Sequence, residues 1–279
     1  MPQGHKVRDK YNPQRARSKS HSSYKCLTVK PAVPSGGVKG PWQVGLPHRS
    51  PLVNVPGMVP DLPQAELAIV EKTNAFRKTN GLQELKPNPA LRVAARAFAE
   101  YLARSGKFSH AADGRTPQDR VLAQGYRYCL VAENLAWNLD SRGYDTGRLA
   151  GEVVEGWKAS PGHRKNLLLP GATEIGVAVA QTPSAAPKFV SVQVFGRPES
   201  AQVRFAIRNL TGSAVPYVLG TATETVQPRE TVTHTDCEPR PLRFQASPAP
   251  AAFAPKDGDR FTVRANKKGA IEVIVEKAR

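Results

Sequence analysis

Apolar positions recur at intervals of three and four through several stretches between residues 64 and 159, then shift towards alternation in the last hundred residues. The first period belongs to helices and the second to strands. The earliest such stretch predicts a helix over Gln64–Asn80, with Leu67, Val70, Asn74 and Arg77 in one row, Ala68, Thr73 and Phe76 beside it, and Gly81 past its end. The next helix opens at Asn88-Pro89, Asn as the N-cap and Pro at the first helical position. Leu91, Ala94, Ala95, Phe98, Ala99 and Leu102 keep its period, and Gly106 closes it. A short helix starts at Thr116-Pro117-Gln118-Asp119 and stops at Gly125, and Glu133 follows it in an extended or irregular run. A third long helix covers Gly147–Ala159, with Leu149, Val153 and Trp157 on one face. Pro161 excludes Ser160 from helical geometry, so Ser160 is expected to cap a turn that carries His163.

Glu174–Ala180 and Phe189–Phe195 alternate and read as a hairpin with a Pro/Ala loop. Gly196-Arg197-Pro198 marks a boundary, beyond which the helical period is gone. Val203–Arg208, Val215–Leu219, Thr231–Thr235, Leu242–Gln245, Phe261–Ala265 and Ala270–Val275 are short strand candidates separated by turn residues, the pattern of a small β-sandwich or barrel. The division that follows is a tail at 1–60, an α+β domain at 61–198 and an all-β domain at 199–279.

Charge changes this picture mainly at the tail. The chain of 279 residues carries a formal net charge of +17. More than half of that excess lies in residues 1–60, where the only acid is Asp9. This Pro-rich, basic segment is expected to be disordered and to attract an anionic surface or polymer without sequence preference. No run of apolar residues is long enough to span a membrane or to serve as a secretory leader. The cysteines Cys26, Cys129 and Cys237 are too few for a disulfide framework and form no CxxC pair. A single bridge between Cys129 and Cys237 is open on spacing alone; the competing reading makes Cys129 a small buried residue. His234 and Cys237 lie three apart, too sparse a set for a metal site without further ligands.

The candidate chemistry falls in Phe108-Ser109-His110, Glu133-Asn134-Leu135-Ala136 and Ser160-Pro161-Gly162-His163-Arg164. His110, Glu133 and His163 are expected at segment ends, free to face a common pocket. Ser109 adjoins His110 and Ser160 stands three residues before His163, but neither spacing makes a nucleophile-and-base pair by itself. Arg164 and Lys165 read as solvated residues that could also meet an acidic ligand.

The order of these pieces resembles the CAP superfamily: cysteine-rich secretory, antigen 5 and pathogenesis-related 1 proteins, and in particular its bacterial branch. The resemblance rests on Asn74, Arg77, Gly81-Leu82, Leu85, Asn88, Leu91, Ala95, Phe108-Ser109-His110, Gly114, Arg120, Gly125-Tyr126, Glu133-Asn134-Leu135-Ala136, Trp157, Ser160-Pro161-Gly162-His163-Arg164, Asn166-Leu167-Leu168, Glu174-Ile175-Gly176-Val177 and Val192-Gln193-Val194-Phe195-Gly196. It covers residues 64–198 and implies a three-layer α-β-α sandwich with a cleft over the sheet, an extracellular or cell-envelope setting, and a lipid, protein, small-molecule or metal ligand. It also implies that His110 and Glu133 face the cleft, with Asn134, Ser160 and His163 near it. The family's second acid would stand at Ser160 and its second histidine near Val190, so half of the usual tetrad is missing.

Neutral imidazoles and a carboxylate suit a divalent metal such as zinc, so His110, His163 and Glu133 form one candidate metal set. The competing reading makes them a polar brace, each satisfying backbone or side-chain partners. The functional expectation is a non-catalytic binding module, with a metal-dependent hydrolase acting on peptide or cell-wall polymer as the alternative use of the same cleft.

Overall fold

The computed structural model describes residues 7–9, 59–140, 142–184, 188–238, 240–245 and 252–277. It is built on a four-stranded sheet with helices on both faces, followed by an all-β region. The first strand, β1 (Val7–Asp9), lies within the basic tail, and the rest of the expected disordered segment up to residue 58 lies outside the described residues.

Helix α1 (Leu62–Thr79) starts at Asp61, whose carboxylate accepts from the Gln64 N–H at 3.0 Å. Its inward row is Ala65, Ile69, Thr73 and Arg77, spaced by four. Of the expected row, Arg77 is inward and Val70 and Asn74 are half-buried, Val70 against the core and Asn74 bonded to the Leu85 backbone, whereas Leu67 is 55 % exposed. Two members of the inward row, Thr73 and Arg77, are polar, and the sequence pattern sets them in two separate rows. The buried Arg77 is satisfied by backbone carbonyls of Gln83, Leu167, Leu169 and Ala172 at 2.8–3.4 Å. Burial lowers its pKa.

A short strand β2 (Lys86–Pro87) leads into α2 (Pro89–Ser105), where Asn88 accepts from the N–H groups of Ala90 and Leu91 as the sequence predicts. Gly106 ends the helix at φ 67°, a conformation a Cβ disfavours. Helix α3 (Pro117–Leu122) is opened by a reciprocal capping box between Thr116 and Asp119. Strand β3 (Tyr128–Asn138) follows, so Glu133 stands in the middle of a strand rather than at a segment end. Helix α4 (Thr146–Ala159) stops where Pro161 forces Ser160 to extended geometry, φ −92° and ψ 118°, and α5 (Pro161–Leu167) begins at once. Strands β4 (Glu174–Gln181) and β5 (Phe189–Pro198) form the expected antiparallel hairpin.

The sheet order is β2-β4-β5-β3, which leaves β3 as an edge strand. Helices α1, α4 and α5 pack on one face around Ile69, Val153, Trp157, Val177 and Phe195. Helix α2 with α3 covers the other around Leu91, Phe98, Leu102, Val192 and Val194. The outcome is the expected three-layer sandwich. The free edge of β3 is partly covered: Trp157 donates its indole N–H to the Leu135 carbonyl at 3.0 Å, and Asn166 donates to the Glu133 carbonyl at 3.1 Å.

The last third folds as two sheets over one apolar core that includes Phe205, Tyr217, Phe244 and Phe261. One sheet holds β6 (Val203–Asn209), β9 (Thr231–Asp236), β11 (Arg260–Ala265) and β12 (Ile271–Glu276), with β1 pairing parallel to β9. The other holds β7 (Val215–Leu219), β8 (Ala222–Val226) and β10 (Leu242–Phe244). Strand β8 has no counterpart in the sequence reading; it follows a tight turn at Gly220, φ 63°, and its Ala-Thr-Glu-Thr run shows little apolar alternation. Cys129, at the start of β3, is bonded to Cys237, just past β9, across 108 residues of sequence. The bridge that spacing alone left open is therefore formed, and Cys129 is not a free buried thiol.

Candidate functional site

Helix α2 ends at Gly106, and the chain then turns through Phe108-Ser109-His110 towards the face of β3 that carries Glu133. His110 Nδ1 lies 2.8 Å from Glu133 Oε1. A carboxylate is the acceptor here, so Nδ1 carries the proton and Nε2 is the ring's remaining polar atom. The side chain of Glu133 is 1 % exposed, whereas that of His110 is 27 % exposed. The acid is thus interior and the imidazole forms the accessible surface.

Arg120, from α3, completes the group. Its Nη2 donates to both Glu133 oxygens at 3.0 and 2.8 Å and to the His110 carbonyl at 3.0 Å. Its Nη1 donates to Asp113 Oδ1 at 2.9 Å and to the Arg115 carbonyl at 3.0 Å. The guanidinium lies 3.5 Å from the centre of the Phe98 ring. A cation held between two acids and against an aromatic face makes a closed cluster under His110.

His163 arrives from the other side, in the first turn of α5. Burial, with a smaller contribution from the positive charge of His110, lowers its pKa below the ordinary imidazole value. The His163 backbone carbonyl accepts from Asn134, the residue next to Glu133 on β3, so α5 meets the strand that carries Glu133. A chain of uncharged polar side chains anchors α5 to the sheet. Asn166 donates to Asn134 Oδ1 at 2.9 Å, Asn134 donates to the His163 carbonyl at 3.3 Å and to Gln193 Oε1 at 3.2 Å, and Gln193 donates to Thr73 Oγ1 at 2.9 Å. Asn134 and Gln193 are fully buried, so each bond also satisfies a group that could not otherwise be interior.

The predicted residues therefore fall into different roles. His110, Glu133 and His163 border one neighbourhood; Asn134 lies beneath it as an anchor; Ser160 is buried at the junction of α4 and α5 and makes no side-chain capping bond to α5, contrary to the expectation. Ser109 is exposed, and Arg164 lies over the Phe76 ring. His234 is buried in the β region with Nε2 2.9 Å from the Tyr217 hydroxyl, and the Cys237 sulfur is in the disulfide, so the pair is not a metal site.

The metal set His110, Glu133 and His163 does not fit a zinc ion. Both Glu133 oxygens already accept from Arg120, whose positive charge sits where a cation would have to approach. Among the described residues no group of three or more His, Cys, Asp or Glu side chains is placed to hold a metal. Arg120, Asp113, Asn166 and Gln193 were not assigned roles from sequence. Arg120, Asn166 and Gln193 stand in the matching motifs, which is the one signal in the sequence.

Residues 70–195 match the family model described as the cysteine-rich secretory protein family, CAP. Over 120 residues the chain is 35 % identical to the protein YkwD of Bacillus subtilis (strain 168), covering 43 % of this chain and 44 % of the relative. It is 32 % identical over 116 residues to the membrane protein YlbC of the same organism, covering 41 % and 31 %. It therefore spans less than half the length of these curated relatives. Among solved structures, an extracellular SCP-domain protein from Bacillus anthracis is 26 % identical, with a TM-score of 0.40, covering 49 % of this chain and 41 % of that one.

Proposed function

We propose, from the match of residues 70–195 to the CAP, cysteine-rich secretory protein, family model, that this chain is an extracellular or cell-envelope binding module, non-catalytic, whose ligand is held at His110 and His163. One observation carries the reading: the Glu133 carboxylate is consumed by Arg120 and His110. A carboxylate with both oxygens paired to a buried guanidinium is a poor general base and a poor metal ligand. What it does well is hold one imidazole in one tautomer and orientation. The cleft then offers two imidazoles, one accessible at its surface and one kept mainly neutral at pH 7 by burial, to a ligand that supplies hydrogen-bond donors and acceptors, such as a peptide or a polar lipid head.

The disulfide between Cys129 and Cys237 supports the extracellular setting, since such bonds persist where the surroundings are oxidising. No helix among the described residues is long and apolar enough to cross a membrane. The basic segment 1–60 would add attraction to an anionic envelope polymer or lipid surface.

A hydrolase is the second reading. It is favoured by the 2.8 Å pairing of His110 Nδ1 with Glu133, which is the arrangement of a base with its orienting acid. No hydroxyl or thiol among the described residues is paired with either ring of the cleft, and the third metal ligand is missing.

The test is an NMR titration of the His110 and His163 ring signals with an N-acetylated alanine tripeptide, and separately with zinc chloride. Peptide-induced shifts at both rings, with calorimetric binding of the same peptide lost in His110→Ala with His163→Ala at an unchanged melting temperature, support the binding module. Saturable zinc binding at both rings without a peptide response would replace it with the metal-dependent reading. No response to either reduces the cluster to a structural brace.

A further inference from the structure

A recess that His110, Glu133 and His163 do not line is a cavity of about 280 Å³ between α2 and the segment running from Asp113 through α3. Its α2 wall is Ala97, Phe98 and Tyr101, three residues of one helical face. The Tyr101 hydroxyl donates to the Ala112 carbonyl at 2.9 Å and fixes the opposite wall. The rim carries Arg104, Arg115 and Gln124. Arg104 and Arg115 are 67 % and 61 % exposed, and their nearest acids, Glu100 and Asp113, are 3.6 and 3.9 Å away. Surface pairs at that separation hold their partners weakly. Both guanidinium groups can therefore turn to a ligand. The acid inside the recess, Asp113, is already taken by Arg120 at 2.9 Å and by the Arg115 N–H at 3.1 Å.

The recess thus combines a small apolar and aromatic wall with a rim whose available charge is positive. We propose that it is a second binding site, for a small organic anion with an apolar body and one carboxylate. The volume lies at the lower end of ligand pockets, which limits the body to a ring or a short chain. The site is separate from the His110–His163 cleft, and the proposal does not rest on the reading of that cleft. The two are nevertheless joined by one group: Arg120 lines the recess and donates to Glu133 and to the His110 carbonyl. An anion drawn to the recess acts on the guanidinium that sets His110, so its occupancy is registered at the His110 ring.

The experiment is a titration of the full chain with 4-phenylbutyrate at low ionic strength, followed by calorimetry and by the His110 ring signals. The expected result is saturable binding that weakens at least tenfold for the uncharged 4-phenylbutanamide. It weakens at least tenfold again in Arg104→Ala with Arg115→Ala, and is lost in Ala97→Trp, which fills the recess. All three positions are exposed, so the melting temperature is expected to stay at its wild-type value. Shifts of the His110 signals saturate with the same midpoint. Absence of saturation, equal binding of the amide, or binding retained in Ala97→Trp (an anion held elsewhere, for example by the basic tail) would overturn the site. Binding without movement of the His110 signals would overturn the link through Arg120.

Discussion

Arg120 grips both oxygens of Glu133, at 3.0 and 2.8 Å, with side chains 6 % and 1 % exposed. The acid that a sequence reading offers as a metal ligand or base is thereby bound to a cation before any ligand arrives. Arg120 also pairs with Asp113, so removing the arginine strands two largely buried carboxylates. Breaking a buried pair from one side costs roughly 3–5 kcal/mol. Arg120→Ala is expected to lose about that much in urea denaturation, and to free His110 from its single orientation in the ring signals. An Arg120→Ala protein as stable as wild type would show that the cluster is not a brace.

The Cys129–Cys237 bond closes a loop of 108 residues, from the first residues of β3 to the end of β9. A cross-link over a loop of that length restricts the unfolded chain by roughly 4–5 kcal/mol in the chain-entropy view. Cys129→Ser with Cys237→Ser should lower the melting temperature, and a reducing agent should bring the wild type down to the same value while leaving the variant unmoved. Identical melting with and without reductant would count against the bond.

His163 is predicted to titrate below its ordinary value of 6.5, chiefly because burial disfavours the imidazolium. The unfolded chain then binds the proton first as pH falls. The stability contributed by the neutral ring is complete above pH 6.5 and is lost as pH drops through the folded value. In His163→Gln the fall of melting temperature on the acid side of 6.5 should be shallower than in wild type. Removing the charge of His110 with His110→Ala should raise the His163 midpoint by only part of its displacement, since the larger cause remains.

Gly176 on β4 lets the start of α2 sit directly on the sheet. A Cβ there would meet the backbone of Leu91 and Arg92, with the Leu91 carbonyl oxygen at 2.6 Å. Overpacking against side chains costs roughly 1–3 kcal/mol, and backbone yields less readily. Gly176→Ala should therefore destabilise by at least about 2 kcal/mol. Gly151→Ala, in α4 with nothing within 4 Å, should be neutral or stabilising by up to about 1 kcal/mol. Equal melting temperatures for the two variants would contradict this packing.

Much of the layout could be read from the chain. Caps at Asn88 and Thr116, breaks at Gly106 and Pro161, and alternation in β4 and β5 are local signals, and each element formed where its signal stood. The inward row of α1 does not stand out as one row in the sequence because Thr73 and Arg77 are polar groups satisfied by distant partners, Gln193 and carbonyls at and beyond the end of α5. The same reason hid the site's real organisation. Nothing around Arg120 in sequence shows that it will meet Glu133, 13 residues on, and Asp113 at once. Motif resemblance located His110, Glu133 and His163; only the fold reveals that the carboxylate among them is already occupied.

That occupancy is tested most directly by titrating the metal-free chain with zinc by calorimetry at pH 7, alongside His110→Ala with His163→Ala. The account predicts no stoichiometric high-affinity binding, and any weak uptake equal in wild type and variant. Near-stoichiometric zinc binding that disappears in the double variant would contradict it, because the Glu133 carboxylate would then have to leave Arg120 to serve a metal.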